Sequence, residues 1–65
     1  MLNFVLCDDN SIILERLSKI LESIFIKHDI EACILYKTTN PKDLLKYLDE
    51  NSPNVLILDI DFKSH

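Results

Sequence analysis

Four carboxylates sit where apolar segments stop. Asn3 to Cys7 (N-F-V-L-C) runs straight into Asp8-Asp9-Asn10, and Val55-Leu56-Ile57-Leu58 stops at Asp59, with Asp61 two residues further on. Acids gathered at one shallow, loop-lined edge repel one another, and a hard divalent cation relieves that repulsion. Mg2+ takes one or two carboxylates, keeps several waters and leaves room for a phosphoryl oxygen. Either motif alone is an ordinary strand end or helix cap. Together they point to cation chemistry, provided the fold brings them to one edge.

The elements needed to do so are written in the hydrophobic pattern. After Asp9, apolar residues at Ile13, Leu14, Leu17, Ile20, Leu21, Ile24 and Phe25 recur at three- and four-residue steps, with Glu15, Arg16, Lys19, Glu22 and Ser23 on the other face. This spacing predicts an amphipathic helix capped by Asn10 or Ser11, with Glu15 and Lys19 as an i,i+4 pair. The polar stretch His28 to Glu31 ends it, and Ala32-Cys33-Ile34-Leu35-Tyr36 is a second strand by its β-branched and aromatic content. Asn40-Pro41-Lys42-Asp43 signals a second helix: a capping amide, proline in the first turn and an acid that complements the dipole. Its apolar residues Leu44, Leu45, Tyr47 and Leu48 run out at Asn51-Ser52-Pro53.

Strand, helix, strand, helix, strand is the order of a parallel α/β sheet, because right-handed crossovers return each strand in the same direction. All three strands then end on one edge, which gathers Asp8, Asp9, Asp59 and Asp61. On neighbouring parallel strands Cys7 and Cys33 are about four residues out of register, roughly 13 Å at 3.3 Å per residue, too far to bridge. Both are expected to be structural and buried, and His28 and His65 to be isolated surface residues.

Composition excludes other chemistries. The 65 residues contain no glycine, so glycine-rich phosphate loops and dinucleotide fingerprints, which need backbone to approach a phosphate closely, are impossible. Eleven acids against seven bases give a formal net charge of −4, with Arg16 the sole arginine, which argues against direct contact with nucleic acid. No apolar run exceeds the five residues Ala32 to Tyr36, and the start has no basic region. Neither a membrane span nor a secretion signal is supported, and a cytoplasmic protein is expected.

The opening F-V-L-C-D-D-N, the alternating elements and the closing V-L-I-L-D-I-D resemble the receiver domain of two-component response regulators, over essentially the whole chain. L-C-D-D-N, T-T-N-P and L-D-I are most similar to LytTR-type regulators of the accessory-gene-regulator kind. The resemblance implies a truncated flavodoxin-like receiver fold, β-α-β-α-β with three parallel strands in order 2-1-3, residues 1–65 being the N-terminal three-fifths of the domain. It implies that Asp59 accepts a phosphoryl group from a sensor histidine kinase. Asp8 and Asp9 match the acidic pair that binds Mg2+, and the main-chain carbonyl of Asp61 matches the remaining protein ligand, alongside Asp59 itself. On this reading the segment is a phosphoacceptor controlling a transcription regulator rather than an enzyme. The hydroxyl residue of strand four, the lysine of strand five and the DNA-binding domain of such regulators have no counterparts here; Lys37, Lys42, Lys46 and Lys63 fall at the wrong places in the order to supply that lysine and are expected to be solvated. In the order 2-1-3, strand three presents an open edge with apolar residues on both sides, so self-association is expected, by antiparallel pairing with a second copy.

Two other classes compete. V-L-I-L-D-I-D-F-K also resembles the first motif of haloacid-dehalogenase-type phosphatases, which would make Asp59 the nucleophile and Asp61 the general acid. Lys63 stands where that motif has a small residue, and the motif normally opens a fold. A non-catalytic, self-associating α/β module is the other.

Overall fold

Each helix begins where a strand-end side chain turns the chain without glycine. In a computed structural model, which describes residues 1–59, Asp8 Oδ1 accepts the amide of Asn10 at 2.9 Å, and Asn10 Oδ1 accepts the amides of Ile12 at 2.9 Å and Ile13 at 3.2 Å. The same device recurs one unit later: Thr38 Oγ1 accepts the Asn40 amide at 3.1 Å, and Asn40 Oδ1 that of Lys42 at 2.9 Å. Asp8-Asp9-Asn10 and Thr38-Thr39-Asn40 are thus paired strand-to-helix turns, each feeding an asparagine cap.

The elements are β1 (Leu2–Asp8), α1 (Ser11–Lys27), β2 (Ala32–Thr38), α2 (Pro41–Glu50) and β3 (Val55–Asp59). They form a parallel three-stranded sheet in the order β2-β1-β3, the expected α/β architecture. With right-handed crossovers, the step outward from β1 to β2 and the step back across β1 to β3 run in opposite directions, so the two helices fall on opposite faces. On one face Phe4 packs against Phe25 of α1, ring centroids 5.0 Å apart. On the other, Val5 and Cys7 form the core with Leu44 of α2, flanked by Tyr36, Tyr47 and Leu48. Tyr36 and Tyr47 lie stacked, centroids 4.3 Å apart.

The burial of α1 departs from the expected face. Leu14, Ser18 and Phe25 are buried, whereas Ile13, Ile20 and Ile24 are exposed. Among the described residues α1 packs chiefly on β1 and β2, which leaves these three side chains about half in solvent. Ser18 holds the centre of the buried face because its hydroxyl is satisfied twice: it donates to the Glu15 carbonyl at 2.9 Å and accepts from Lys37 Nζ at 3.3 Å. Lys37 also forms a 2.8 Å ion pair with Glu15. The predicted Glu15–Lys19 pair is therefore replaced by one reaching from helix to sheet; Lys37 is exposed, as expected of a surface lysine, while its ammonium is held by two groups of α1. Glu15 has its carboxyl pulled below the ordinary value by the Lys37 hydrogen bond and charge.

Helix α1 ends in a Schellman turn. The amide of Ile30 donates to the Phe25 carbonyl at 2.8 Å and that of Asp29 to Ile26 at 3.3 Å, with Asp29 in the left-handed region at φ 52°, a position usually given to glycine.

Cys7 and Cys33 are both free, as their offset requires: Cys33 is the register partner of Asn3, four positions before Cys7. Cys7 is buried, but Cys33, on the outer strand β2, is only half-buried, its thiol 3.5 Å from Asn3 Oδ1. His28 is exposed at the α1 C-cap; His65 lies outside the described residues. Among the described residues no helix is long and apolar enough to cross a membrane.

Candidate functional site

The C-terminal edge of the sheet brings together two of the predicted carboxylates. Asp8 and Asp59 are direct register partners across β1 and β3, following Leu6 with Ile57 and Cys7 with Leu58. Neighbouring strands lie about 4.8 Å apart, and side chains at paired positions share a face. Both aspartates fall on the α1 side of the sheet, in phase with Phe4 and Leu6 on β1 and with Val55 and Ile57 on β3. Asp59 is exposed at the strand end, open to a reaction partner. Asp9, one residue past β1, is also exposed. Asp61 and Lys63 lie outside the described residues.

Asp8 is the unusual member. It is only 3% exposed, and while Oδ1 accepts the Asn10 amide, Oδ2 is buried with no hydrogen-bond partner among the described residues. A buried charged oxygen left unpaired carries an unfavourable desolvation free energy of several kcal/mol unless something compensates it. Its field is felt next door: the Cys7 thiol is pushed up by burial and then by the negative charges of Asp8 and Asp9. The residues therefore suit a cation held by few protein groups, one buried carboxylate and one exposed carboxylate facing each other, with coordination completed by water. They do not form a closed cage: among the described residues no three His, Cys, Asp or Glu side chains are grouped closely enough to hold a metal ion.

Sequence reasoning found Asp8 and Asp59 from strand-end logic. It missed the roles of Asn10, whose amide fixes Asp8 Oδ1, and of the Lys37–Ser18–Glu15 network that pins α1 to β2. A serine at the centre of an apolar helix stripe was the available signal for the latter. A separate open groove of about 390 Å3, lined by Tyr36, Asp43, Lys46, Tyr47, Glu50 and Asn51, runs beside α2 and includes none of these aspartates.

No family model, curated protein or solved structure matches the chain, and what stands is a small β-α-β-α-β domain whose parallel sheet places Asp8 opposite Asp59.

Proposed function

We propose that this chain is the phosphoacceptor part of a response-regulator receiver domain of the LytTR type, residues 1–65 corresponding to its N-terminal three-fifths. The observation that carries the reading is the register pairing of Asp8 with Asp59, the former buried with an unpartnered oxygen and the latter exposed. Two aspartates with opposite environments at one strand edge suit two roles, one for holding a cation and one for attack.

A carboxylate oxygen of Asp59 attacks the phosphorus of a phosphohistidine on a sensor histidine kinase. The new P–O bond forms as the P–N bond breaks, and the imidazole leaves with the electron pair and takes a proton from solvent. The acidic pair Asp8 and Asp9, with Asp59 and the main-chain carbonyl of Asp61, would hold Mg2+; when bound, the cation supplies the positive charge that lets an anionic nucleophile meet an anionic phosphoryl group. Asn10, through its amide, keeps the Asp8 carboxylate oriented. The aspartyl phosphate then biases the regulator between two states and so controls transcription. A cytoplasmic location agrees with a kinase donor and Mg2+.

Titration of Mg2+ with and without beryllium fluoride, followed by amide NMR, tests the reading. Expected are localised shifts at Asp8, Asp9, Asp59 and Asp61 that strengthen with beryllium fluoride. No localised response at these amides overturns it, and turnover of p-nitrophenyl phosphate would transfer Asp59 and Asp61 to the phosphatase reading.

A further inference from the structure

The groove beside α2 has a chemistry of its own. Asp43, Tyr47 and Glu50 stand at i, i+4 and i+7 of α2, one stripe of the helix, with about 10.5 Å of helix rise between the two acids and the tyrosine between them. Leu44 and Leu48 turn to the core from the adjoining face, while Tyr47 lies stacked on Tyr36 of β2, so the stripe is on the β2 side of α2. Strand β2 is at the opposite end of the sheet from β3, which keeps the groove away from Asp59. In the stack each ring sets one face against the other, leaving a second face of each outside it, and both rings border the groove. Asp43 and Glu50 are exposed. Among the described residues neither is held in an ion pair, even by the neighbouring Lys46; the pair that forms is Lys37 with Glu15.

We propose that this groove receives an arginine side chain of a partner protein. A guanidinium is planar, so it stacks on a tyrosine face while its N–H fork reaches a carboxylate. The α2 stripe supplies such a face with a carboxylate on either side. Charge agrees in sign, because two acids, Asp43 and Glu50, stand in the groove against the single Lys46; an acidic ligand would have to sit between both carboxylates with one lysine in its favour. The form of the groove selects the source. Sites for free small molecules enclose most of the ligand's surface, whereas this one, of about 390 Å3, is open to solvent, and exposed ion pairs hold weakly. It therefore suits a side chain carried in on a polypeptide whose other contacts add to the binding. Asn51 offers one such contact: its Nδ2 donates to the Tyr47 carbonyl at 2.9 Å, which fixes the carboxamide at the groove and leaves Oδ1 to accept a main-chain N–H. None of the sheet-edge aspartates lines the groove, so the inference stands or falls separately from phosphorylation of Asp59.

Amide NMR of the chain, titrated with a capped Gly-Ser-Arg-Ser-Gly peptide and with versions carrying citrulline, lysine or glutamate in place of the arginine, tests this. Localised shifts are expected at Tyr36, Asp43, Lys46, Tyr47, Glu50 and Asn51, largest for arginine, smaller for lysine and absent for citrulline and glutamate. Asp43→Asn combined with Glu50→Gln lowers the affinity about fivefold or more, and Lys46→Gln, which removes a like charge, raises it about twofold. Tyr47→Leu, checked for folding by circular dichroism, keeps an apolar side chain on α2 yet lowers the affinity about threefold. Propylguanidinium, the side chain without a main chain, binds more weakly than the peptide by about twofold or more. Shifts spread over the whole surface, equal for arginine and citrulline, or undiminished without the two carboxylates overturn the proposal. So do three reassignments: to an acidic segment if the glutamate peptide gives the response, to a free cation if propylguanidinium binds as tightly as the peptide, and to a second copy if these amides shift with protein concentration alone and Arg16→Gln abolishes the effect.

Discussion

If Asp8 holds a cation as proposed, replacing it with asparagine should make the metal-free domain more stable and remove the response to Mg2+ expected of the parent. Asn retains the Oδ1 that accepts the Asn10 amide, so the turn into α1 is preserved while the charge on the unpartnered oxygen disappears. The facing carboxylate of Asp59 lies one strand spacing away, and two unit charges about 5 Å apart repel by about 3 kcal/mol at an effective dielectric of 20 and about 0.8 kcal/mol in water. Asp59 is exposed, which sets the relief near the aqueous end, about 1 kcal/mol. An amide nitrogen in place of Oδ2 still lacks a partner, but an unpaired neutral group is less unfavourable than an unpaired charge. In EDTA the variant should melt about 4–8 °C above the parent for each kcal/mol gained in a domain of this size. At ten times its Kd, Mg2+ stabilises the parent by RT ln 11, about 1.4 kcal/mol, so the advantage of the variant vanishes or reverses when the metal is added. Calorimetric or dichroic melts of both proteins in EDTA and in excess Mg2+ provide the four midpoints. A variant that melts below the parent in EDTA, or that gains as much from Mg2+, refutes the assignment of Asp8.

Other consequences concern the scaffold. Leu44→Ala empties the 4% exposed position between Val5 and Cys7 and should lower urea-unfolding stability by about 2–5 kcal/mol, while Leu45→Ala at a 65% exposed site stays within about 0.5 kcal/mol; equal losses would contradict the packing of α2. Asp29→Gly removes a left-handed strain of about 1–2 kcal/mol against an added unfolded-state entropy of about 0.4–1 kcal/mol, so thermal stability should rise, and a fall would show that the Asp29 side chain holds the α1 Schellman turn. Glu15→Gln tests the Lys37 link through pH. The folded carboxyl lies below its ordinary value of 4.5, so its contribution is fully present above 4.5 and is lost as pH falls through the lower folded value. The parent should out-melt Glu15→Gln near neutrality and lose that advantage in strong acid; a difference unchanged by acidification would assign it to helix propensity instead.

Much of this architecture is legible locally. Asn10 and Asn40 are caps because their side chains reach amides two or three residues on, a property of the adjacent chain alone, and Pro41 sits in the first turn of α2 for the same kind of reason. The alternation of apolar runs with amphipathic stretches is enough for a parallel sheet, and chirality then sends all strand ends to one edge. Asp8 and Asp59 were identifiable on that basis before any coordinate. The hydrophobic stripe of α1 was less informative: Leu14 and Ile20 are both apolar at helical spacing, yet only Leu14 has a sheet to lie on.

By itself, then, the sequence determined the element order, the caps and the presence of carboxylates at the strand ends, because these depend on residues a few positions apart. Only the tertiary structure decided that Asp8 faces Asp59, that one oxygen of Asp8 is buried without a hydrogen-bond partner among the described residues, that the exposed Lys37 ties Ser18 and Glu15 to the sheet, and that β2 is bulged against β1 while β3 keeps unbroken register with it. Register, burial and ion-pair choice are set by contacts between distant segments, where neighbouring side chains compete for the same space and the same hydrogen bonds, and no local pattern records the outcome.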